Sequence, residues 1–322
     1  ERECVDEVLR QAKAEGYVDL KDAIAKNAKL KAGDKVYVNH MGKAVALFLI
    51  GEQPLEKGMK LLGAHIDSPR LDLKQVPFYE DTEMAMLDTH YYGGIRKYQW
   101  ATIPLALHGV VTLINGENVE IRIGDMPGDP VFCITDLLPH LAQDQNTKPL
   151  GQAFSGEGLN ILIAGSPYFE EDGKQTPASD KVKLMVMAYL NEKYGMTEAD
   201  FMSAELCLVP AANAVDVGLD RWLIGAYGHD DRVCGYTALT AMIENKNSEH
   251  TLVCVLADKE ETGSDGVTGM QCCLLTDIID ELALNLGGNP RVVRANSLCL
   301  SADVSAGFDP LYAGSFDKRN AA

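Results

Sequence analysis

Four short polar clusters stand out because each follows an apolar, strand-like run or opens a helix. They are AHIDSP, GHDDR, DKEETGS and SAD, which begin at Ala64, Gly228, Asp258 and Ser301. Together they contribute histidine and several carboxylates, a mixed nitrogen and oxygen ligand set that suits zinc, manganese or cobalt. In a hydrolytic site such a metal acidifies a bound water. The four clusters therefore favour metal-assisted hydrolysis.

Each cluster taken alone also has an ordinary structural explanation. A His-x-Asp turn or a strand-terminal Asp is usually a cap, a turn or a solvated charge. The adjacent pair Glu260 and Glu261 fits that explanation less well. Two neighbouring carboxylates repel each other unless one binds a cation and the other holds a proton. The pair therefore predicts a division of work between a metal ligand and a general base.

The clusters can converge only if the elements between them place them at one end of a sheet. An apolar stripe over 1–15 predicts a helix, and later runs predict alternating strands and helices. The strands are expected at 35–38, 45–50, 60–64, 251–257 and 297–302, and the helices at 233–243 and 266–284. This alternation predicts an α/β fold with a largely parallel sheet, which keeps its site at the carboxyl ends of the strands.

The middle of the chain has a different character. Two β-type runs at 105–114 and 119–123 flank Asn115-Gly116-Glu117-Asn118, which is a hairpin signal. A polar stretch over Gln143–Lys181, a helix over 182–194 and a strand over 205–209 follow. We predict an inserted β-rich domain over 100–210, between the two parts of a main domain over 1–99 and 211–322.

Composition excludes several classes of protein. Of the 322 residues, 46% are hydrophobic and 24% are charged, and the net charge is −18, so a nucleic-acid backbone or an anionic membrane would be repelled. No apolar run approaches the roughly 18 to 20 residues of a membrane span, and no signal sequence is recognised. The eight cysteines form no CxxC pair. We therefore expect a reducing compartment, the cytoplasm.

The four clusters, in this order and with YYGGI at Tyr91–Ile95, resemble the aspartyl aminopeptidase family of co-catalytic zinc exopeptidases. The likeness runs over essentially the whole chain. It implies a zinc-exopeptidase-like mixed, largely parallel sheet flanked by helices, interrupted by a β-rich dimerisation domain. It also implies removal of N-terminal residues from peptides, with acidic residues as one option, and dimers that assemble into a tetrahedral dodecamer.

The resemblance also implies roles for individual residues. Two divalent ions are expected, most simply zinc, with cobalt or manganese as alternatives. The implied metal ligands are His65 and Asp303 on the first ion, Asp230 bridging both, and Glu261 on the second. Glu260 matches the general base that takes a proton from the metal-activated water. Asp67 matches the carboxylate that orients the His65 imidazole.

The sequence departs from the family pattern at three places. Asp231 stands where the family commonly has Asn. Lys97 replaces a family His, and it is expected either to pair with an acidic substrate side chain or to be simply solvated. The family's last ligand of the second metal is a His in a C-terminal segment, whereas no His follows Asp303. We therefore expect an incomplete chain that binds at most one metal tightly.

Two rival interpretations stay open at this point. One is a related zinc aminopeptidase or deacylase with another specificity. The other is a non-catalytic assembly subunit that keeps the fold with a broken metal site. Metal content and hydrolysis of aminoacyl substrates would separate the enzymes from the assembly subunit.

Overall fold

The computed structural model describes residues 1–169 and 179–321. Within these ranges the chain forms two compact units. Unit 1 combines Glu1–Ser68 with Gly228–Ala322, and unit 2 is Pro69–Tyr227. Part of the predicted polar stretch, residues 170–178, lies outside the described residues.

The regular elements are numbered in chain order. The strands are β1 (Val18–Asp19), β2 (Lys35–His40), β3 (Ala44–Leu49), β4 (Lys60–His65), β5 (Arg70–Asp81), β6 (Met84–Tyr92), β7 (Leu105–Thr112), β8 (Asn118–Ile123), β9 (Ile161–Ala164), β10 (Ala204–Pro210), β11 (Val215–Val217), β12 (Leu223–Gly225), β13 (Leu252–Ala257) and β14 (Leu298–Ser301). The α-helices are α1 (Arg2–Ala14), α2 (Leu20–Ala25), α3 (Gln143–Asn146), α4 (Leu150–Ala153), α5 (Lys181–Tyr194), α6 (His229–Glu244), α7 (Leu274–Leu286) and α8 (Pro290–Asn296). Short 3-10 helices lie at Leu55–Lys57, Lys97–Trp100, Gly156–Gly158, Glu198–Ser203, Glu260–Thr262 and Pro310–Ser315.

Unit 1 is built on a six-stranded mixed sheet in the order β1-β2-β3-β13-β4-β14. The pairs β1 with β2, β13 with β4, and β4 with β14 are parallel, whereas β3 runs antiparallel to both of its neighbours. All six residues of β3 are buried, as expected of a strand covered on both faces. The predicted α/β class is confirmed.

Helices cover both faces of this sheet. On one face, α1 and α6 bury Val5, Val8 and Leu239 together with the strand residues Leu47 and Leu256. On the other face, α2, α7 and α8 pack on the opposite side chains of the same strands, because alternate residues of a strand point to opposite faces. Packing on both faces of the sheet therefore fixes the positions of the carboxyl ends of its strands relative to one another.

Unit 2 is a six-stranded sheet in the order β8-β7-β10-β5-β6-β9, with α5 packed against it. Every strand pair in this sheet is antiparallel. The predicted insertion at 100–210 is narrower than this unit. The bounds differ because β5 pairs with β10 and β6 pairs with β9, so both strands belong to unit 2.

The predicted helix over 266–284 is wrong at its start, since α7 begins only at Leu274. The preceding residues form a turn in which the Gln271 N–H donates to the Ser264 carbonyl. Gly263, Ser264 and Gly266 all have positive φ, which a right-handed helix does not allow. Among the described residues, no helix combines the length and apolar character needed to cross a membrane.

Candidate metal centre

The predicted clusters meet at one edge of the unit 1 sheet. Strands β13, β4 and β14 are parallel neighbours, with Ala257 beside His65 and Ser301 beside Gly63. Their carboxyl ends therefore lie side by side, at the edge where open α/β sheets place ligands. His65 ends β4, while the acidic pair and Asp303 follow β13 and β14. Asp230 comes from the first turn of α6.

Two overlapping groups of side chains are close enough to hold a metal ion. One group is His65, Asp230 and Asp303, and the other is His65, Glu260 and Glu261. Within each group the ligand atoms lie within 4.8 Å of one another. Neither group contains both Asp230 and Glu261. The structure thus brings the other four of these predicted residues together around His65.

The two nitrogens of the His65 ring face different carboxylates. Nδ1 lies 3.1 Å from the Asp67 carbonyl oxygen and 3.5 Å from its carboxylate Oδ1. Nε2 lies 3.6 Å from Asp303 Oδ1. The hydrogen bond to Asp67 raises the pKa of His65 to about 9. In the neutral ring that binds a metal, a proton on Nδ1 directed at Asp67 would leave the Nε2 lone pair facing the ligand group.

Asp67 is fully buried and connects two loops of the site. Its Oδ1 accepts the backbone N–H of Glu260 and its Oδ2 accepts that of Glu261, each at 3.1 Å. One carboxylate therefore contacts the imidazole and also fixes the backbone of the acidic pair. The sequence had indicated only its role beside the imidazole.

The backbone at Lys259 turns the chain so that the acidic pair faces Asp67. Lys259 has φ +71° and ψ +10°, in the left-handed region that favours glycine. Its carbonyl accepts the N–H groups of Thr262 and Ser264, which closes the turn. Nearby, the buried Asp258 carboxylate accepts the Thr268 hydroxyl at 2.5 Å.

This geometry predicts different outcomes for two substitutions of Lys259. Lys259→Gly should change the free energy of unfolding by no more than about 0.5 kcal/mol, since relief of left-handed strain offsets glycine's added unfolded-state entropy. Lys259→Val should cost about 1–2 kcal/mol more than the glycine variant, because a β-branched residue is strained at positive φ. Urea unfolding of both variants measures the difference. Equal stabilities would contradict the assigned backbone conformation.

Negative charge accumulates at this edge of the sheet. Burial raises the pKa of Asp230, and the neighbouring Asp231 and Asp303 raise it further. Burial, followed by the charge and hydrogen bond of Asp231, raises the pKa of Glu261 to about 7. A bound cation would relieve this repulsion.

Asp231 was expected only as a departure from the family pattern. In the structure it is the buried member of the acidic pair in α6, 4% exposed, and it lies 3.7 Å from Arg232 Nη1. Its hydrogen bond with Glu261 is a second feature of the site that the residue spacing did not indicate. The adjacent acidic residues in GHDDR and in DKEETGS were the sequence feature from which this contact could have been predicted.

Lys97 lies in unit 2, in the 3-10 helix Lys97–Trp100. Its Nζ is 5.6 Å from the centre of the Tyr91 ring, a cation–π contact. Its role in binding an acidic substrate side chain stays a prediction.

The donor set fits zinc. One imidazole nitrogen and carboxylate oxygens are ligands that zinc accepts, and catalytic zinc sites commonly have three protein ligands. The group of His65, Asp230 and Asp303 offers this number, and its buried imidazole has an orienting partner in Asp67. Zinc binds the neutral form of imidazole. In that form, the Nδ1 contact with Asp67 would leave Nε2 as the nitrogen that binds the metal.

Comparison with known proteins decides the family. The family model "Aminopeptidase I zinc metalloprotease (M18)" matches residues 1–322. The chain belongs to the M18 family. It is therefore a zinc metallo-aminopeptidase by family, a hydrolase, and the predicted resemblance to this class of exopeptidases is confirmed. The deacylase alternative finds no support in this family.

The relatives agree with this assignment. The "Probable M18 family aminopeptidase 1" of Clostridium acetobutylicum is 50% identical over 100% of this chain and 69% of its own length. The solved M18 aminopeptidase of Thermotoga maritima has TM-score 0.89 and 40% identity, covering 98% of this chain and 68% of that one. The solved S. cerevisiae mApe1 dodecamer has TM-score 0.75 and 22% identity, covering 99% and 71%, which shows a shared fold.

Proposed function

We propose that His65, Asp230 and Asp303 hold one zinc ion and that Glu261 binds a second ion, which Asp230 shares. The observation that carries this proposal is the convergence of two ligand groups on one imidazole at the sheet edge. Membership of the M18 zinc aminopeptidase family supports the proposal, because peptide hydrolysis is a reaction that such a metal site can catalyse.

When bound, zinc acidifies a water and stabilises the charge that develops on the scissile carbonyl oxygen. Glu260 is the general base of this proposal. Its carboxylate takes a proton from the attacking water and delivers it to the leaving amine. Asp67 keeps the His65 ring and the backbones of Glu260 and Glu261 in place through its three contacts.

X-ray absorption at the zinc edge tests the ligand assignment. We expect nitrogen and oxygen ligands at about 2.0–2.2 Å with imidazole scattering, and no sulfur at about 2.3 Å. His65→Ala should remove the imidazole signal, whereas His40→Ala, on a half-buried ring that contacts the Val267 carbonyl, should keep it. A sulfur ligand, or imidazole scattering that survives in His65→Ala, would refute the assignment.

We further propose that unit 2 carries the dimerisation surface, within the dodecamer expected from the resemblance. The antiparallel pair β11 and β12 supports this, since apolar residues in it and beside it are exposed, with Ile224 in β12 at 58% and Trp222, just before β12, at 73%. Isolated two-stranded hairpins are marginally stable in water, so this one gains from a covering surface. The solved relative that is a dodecamer agrees with assembly of the shared fold.

Light scattering tests the dimerisation proposal. Trp222→Asp should shift the mass distribution to smaller species, because the new charge would have to be desolvated at the contact. Trp222→Tyr keeps an aromatic ring and should preserve assembly. An unchanged mass in Trp222→Asp would place the contact elsewhere.

The compartment that we propose is the cytoplasm. All eight cysteines lie within the described residues and all are free thiols, as expected in a reducing compartment. Fractionation of cells that express the protein tests this placement, and recovery outside the cytoplasmic fraction would contradict it.

A further inference from the structure

Unit 2 contains an apolar cavity of about 210 Å³. Sheet residues and α5 both contribute to its lining, which includes Leu107, Ile123, Phe132, Ala164, Val186 and Phe201. Leu107, Ile123 and Phe201 are themselves buried. The cavity therefore lies between the sheet and α5, with buried core residues at its base and an opening to solvent beside Tyr189.

The lining of the cavity has few groups that can form a hydrogen bond with water. Tyr189 is the polar side chain that lines the cavity among the described residues, and it is 42% exposed. Its hydroxyl accepts a hydrogen bond from Lys193 Nζ at 3.2 Å. The strand backbones that contribute Leu107, Ile123 and Leu206 are paired within the sheet. Because a buried water needs two to four polar partners, this cavity is unsuited to hold ordered water.

A void of this size leaves its lining side chains without contacts on one side. An apolar cavity of about 150 Å³ in a protein interior is known to stay dry and to bind benzene or xenon. The unit 2 cavity is larger than that and has the same kind of lining. An apolar guest would restore the missing dispersion contacts without displacing hydrogen-bonded water.

We propose that this cavity is a binding site for a small, uncharged aromatic or branched hydrocarbon-like molecule, of benzene to indole size. Charged molecules are excluded, since the lining provides no counter-charge and burying an unpaired ion is strongly unfavourable. Free amino acids, the products of an aminopeptidase, are therefore outside the ligand class. The site is separate from the proposed metal centre in unit 1.

A bound guest would link α5 to the sheet and so stabilise unit 2. A ligand that binds only the folded state raises stability in proportion to the logarithm of its concentration above Kd. At a hundred times Kd, which corresponds to about 2.7 kcal/mol, we expect the unfolding midpoint of the chain to rise by about 4 °C. Alongside this shift, ¹²⁹Xe NMR should show saturable xenon binding, and ¹H–¹³C spectra under xenon should show shifts confined to methyl groups that line the cavity.

The experiment uses the 322-residue chain with benzene as probe and benzoate as its charged counterpart. Calorimetric scans should show a saturable rise with benzene and none with benzoate. Ala164→Leu fills the cavity and should abolish the rise, while Ala212→Leu, at an exposed position outside the cavity, should retain it. If Ala164→Leu does not fold, the xenon shifts of the unaltered chain decide the question.

Three results would overturn the proposal. The first is the absence of saturable benzene and xenon binding to the unaltered chain. The second is equal benzene binding by a folded Ala164→Leu variant. The third is binding that appears only when light scattering shows dissociated chains, which would mean that a second copy of the chain fills the cavity.

Discussion

Glu260→Gln is expected to lower turnover of an aminoacyl anilide by about 100-fold or more while zinc content is unchanged. Glutamine keeps the size of the side chain and the backbone N–H that Asp67 accepts. It removes the basic oxygen that would take a proton from the attacking water. Steady-state kinetics on zinc-loaded protein, with metal content measured on the same sample, checks this result.

Two matched variants make the Glu260 experiment specific. Glu244→Gln changes an exposed carboxylate at the end of α6 and should leave turnover within error of the unaltered chain. Glu261→Gln should instead weaken binding of the second, more loosely held metal, because Glu261 is its proposed ligand. Turnover by Glu260→Gln close to that of the unaltered chain would remove Glu260 from the base role. No hydrolysis by the unaltered, zinc-loaded chain would favour the assembly-subunit alternative.

Asp67→Asn is expected to weaken zinc binding by about 10- to 100-fold, the usual effect of losing the partner that orients a metal-binding His. The physical reason lies in the two backbone donors. A carboxylate accepts both N–H groups of the acidic pair, whereas an amide accepts one and turns its NH₂ toward the other. The unsatisfied buried donor should also cost about 1–3 kcal/mol of stability.

Calorimetric zinc titration and urea unfolding measure the two effects of Asp67→Asn. Asp22→Asn, at an exposed position of α2, is the control and should change neither quantity appreciably. Unaltered zinc affinity in a folded Asp67→Asn variant would contradict the positioning role. A loss of stability with full zinc affinity would show that Asp67 supports only the loop.

The sequence predicted which clusters lie close together, whereas the roles of their residues stay predictions. Strands β4 and β13 have strong apolar runs that end in polar clusters, so their carboxyl ends were located within a residue or two. Convergence at one end of the sheet was predicted from the rule that open α/β sheets bind ligands at the carboxyl ends of their strands, whereas the pairing of β4 with β13 is a finding of the structure. The contact between His65 and Asp303 is a direct result of this arrangement.

Tertiary pairing decided what local patterns did not reveal. Strands β5 and β6 carry many polar and charged residues, such as Asp72 and Lys74, and only their partners β10 and β9 place them in unit 2. The burial of Asp231 depends on how α6 meets the loop after β13. The local residue pattern of β5, β6 and α6 does not indicate which segments pack against them.

The interruption of unit 1 by Pro69–Tyr227 has a consequence for biosynthesis. On the ribosome, His65 and Asp67 emerge well before their partners, and at about 5–20 residues per second unit 2 alone takes roughly ten seconds or longer to translate. Strand β4 lacks both of its sheet neighbours, β13 and β14, throughout this interval. The unpaired edges of β4 are therefore exposed until β13 and β14 leave the exit tunnel, and we expect a chaperone to bind them during this time.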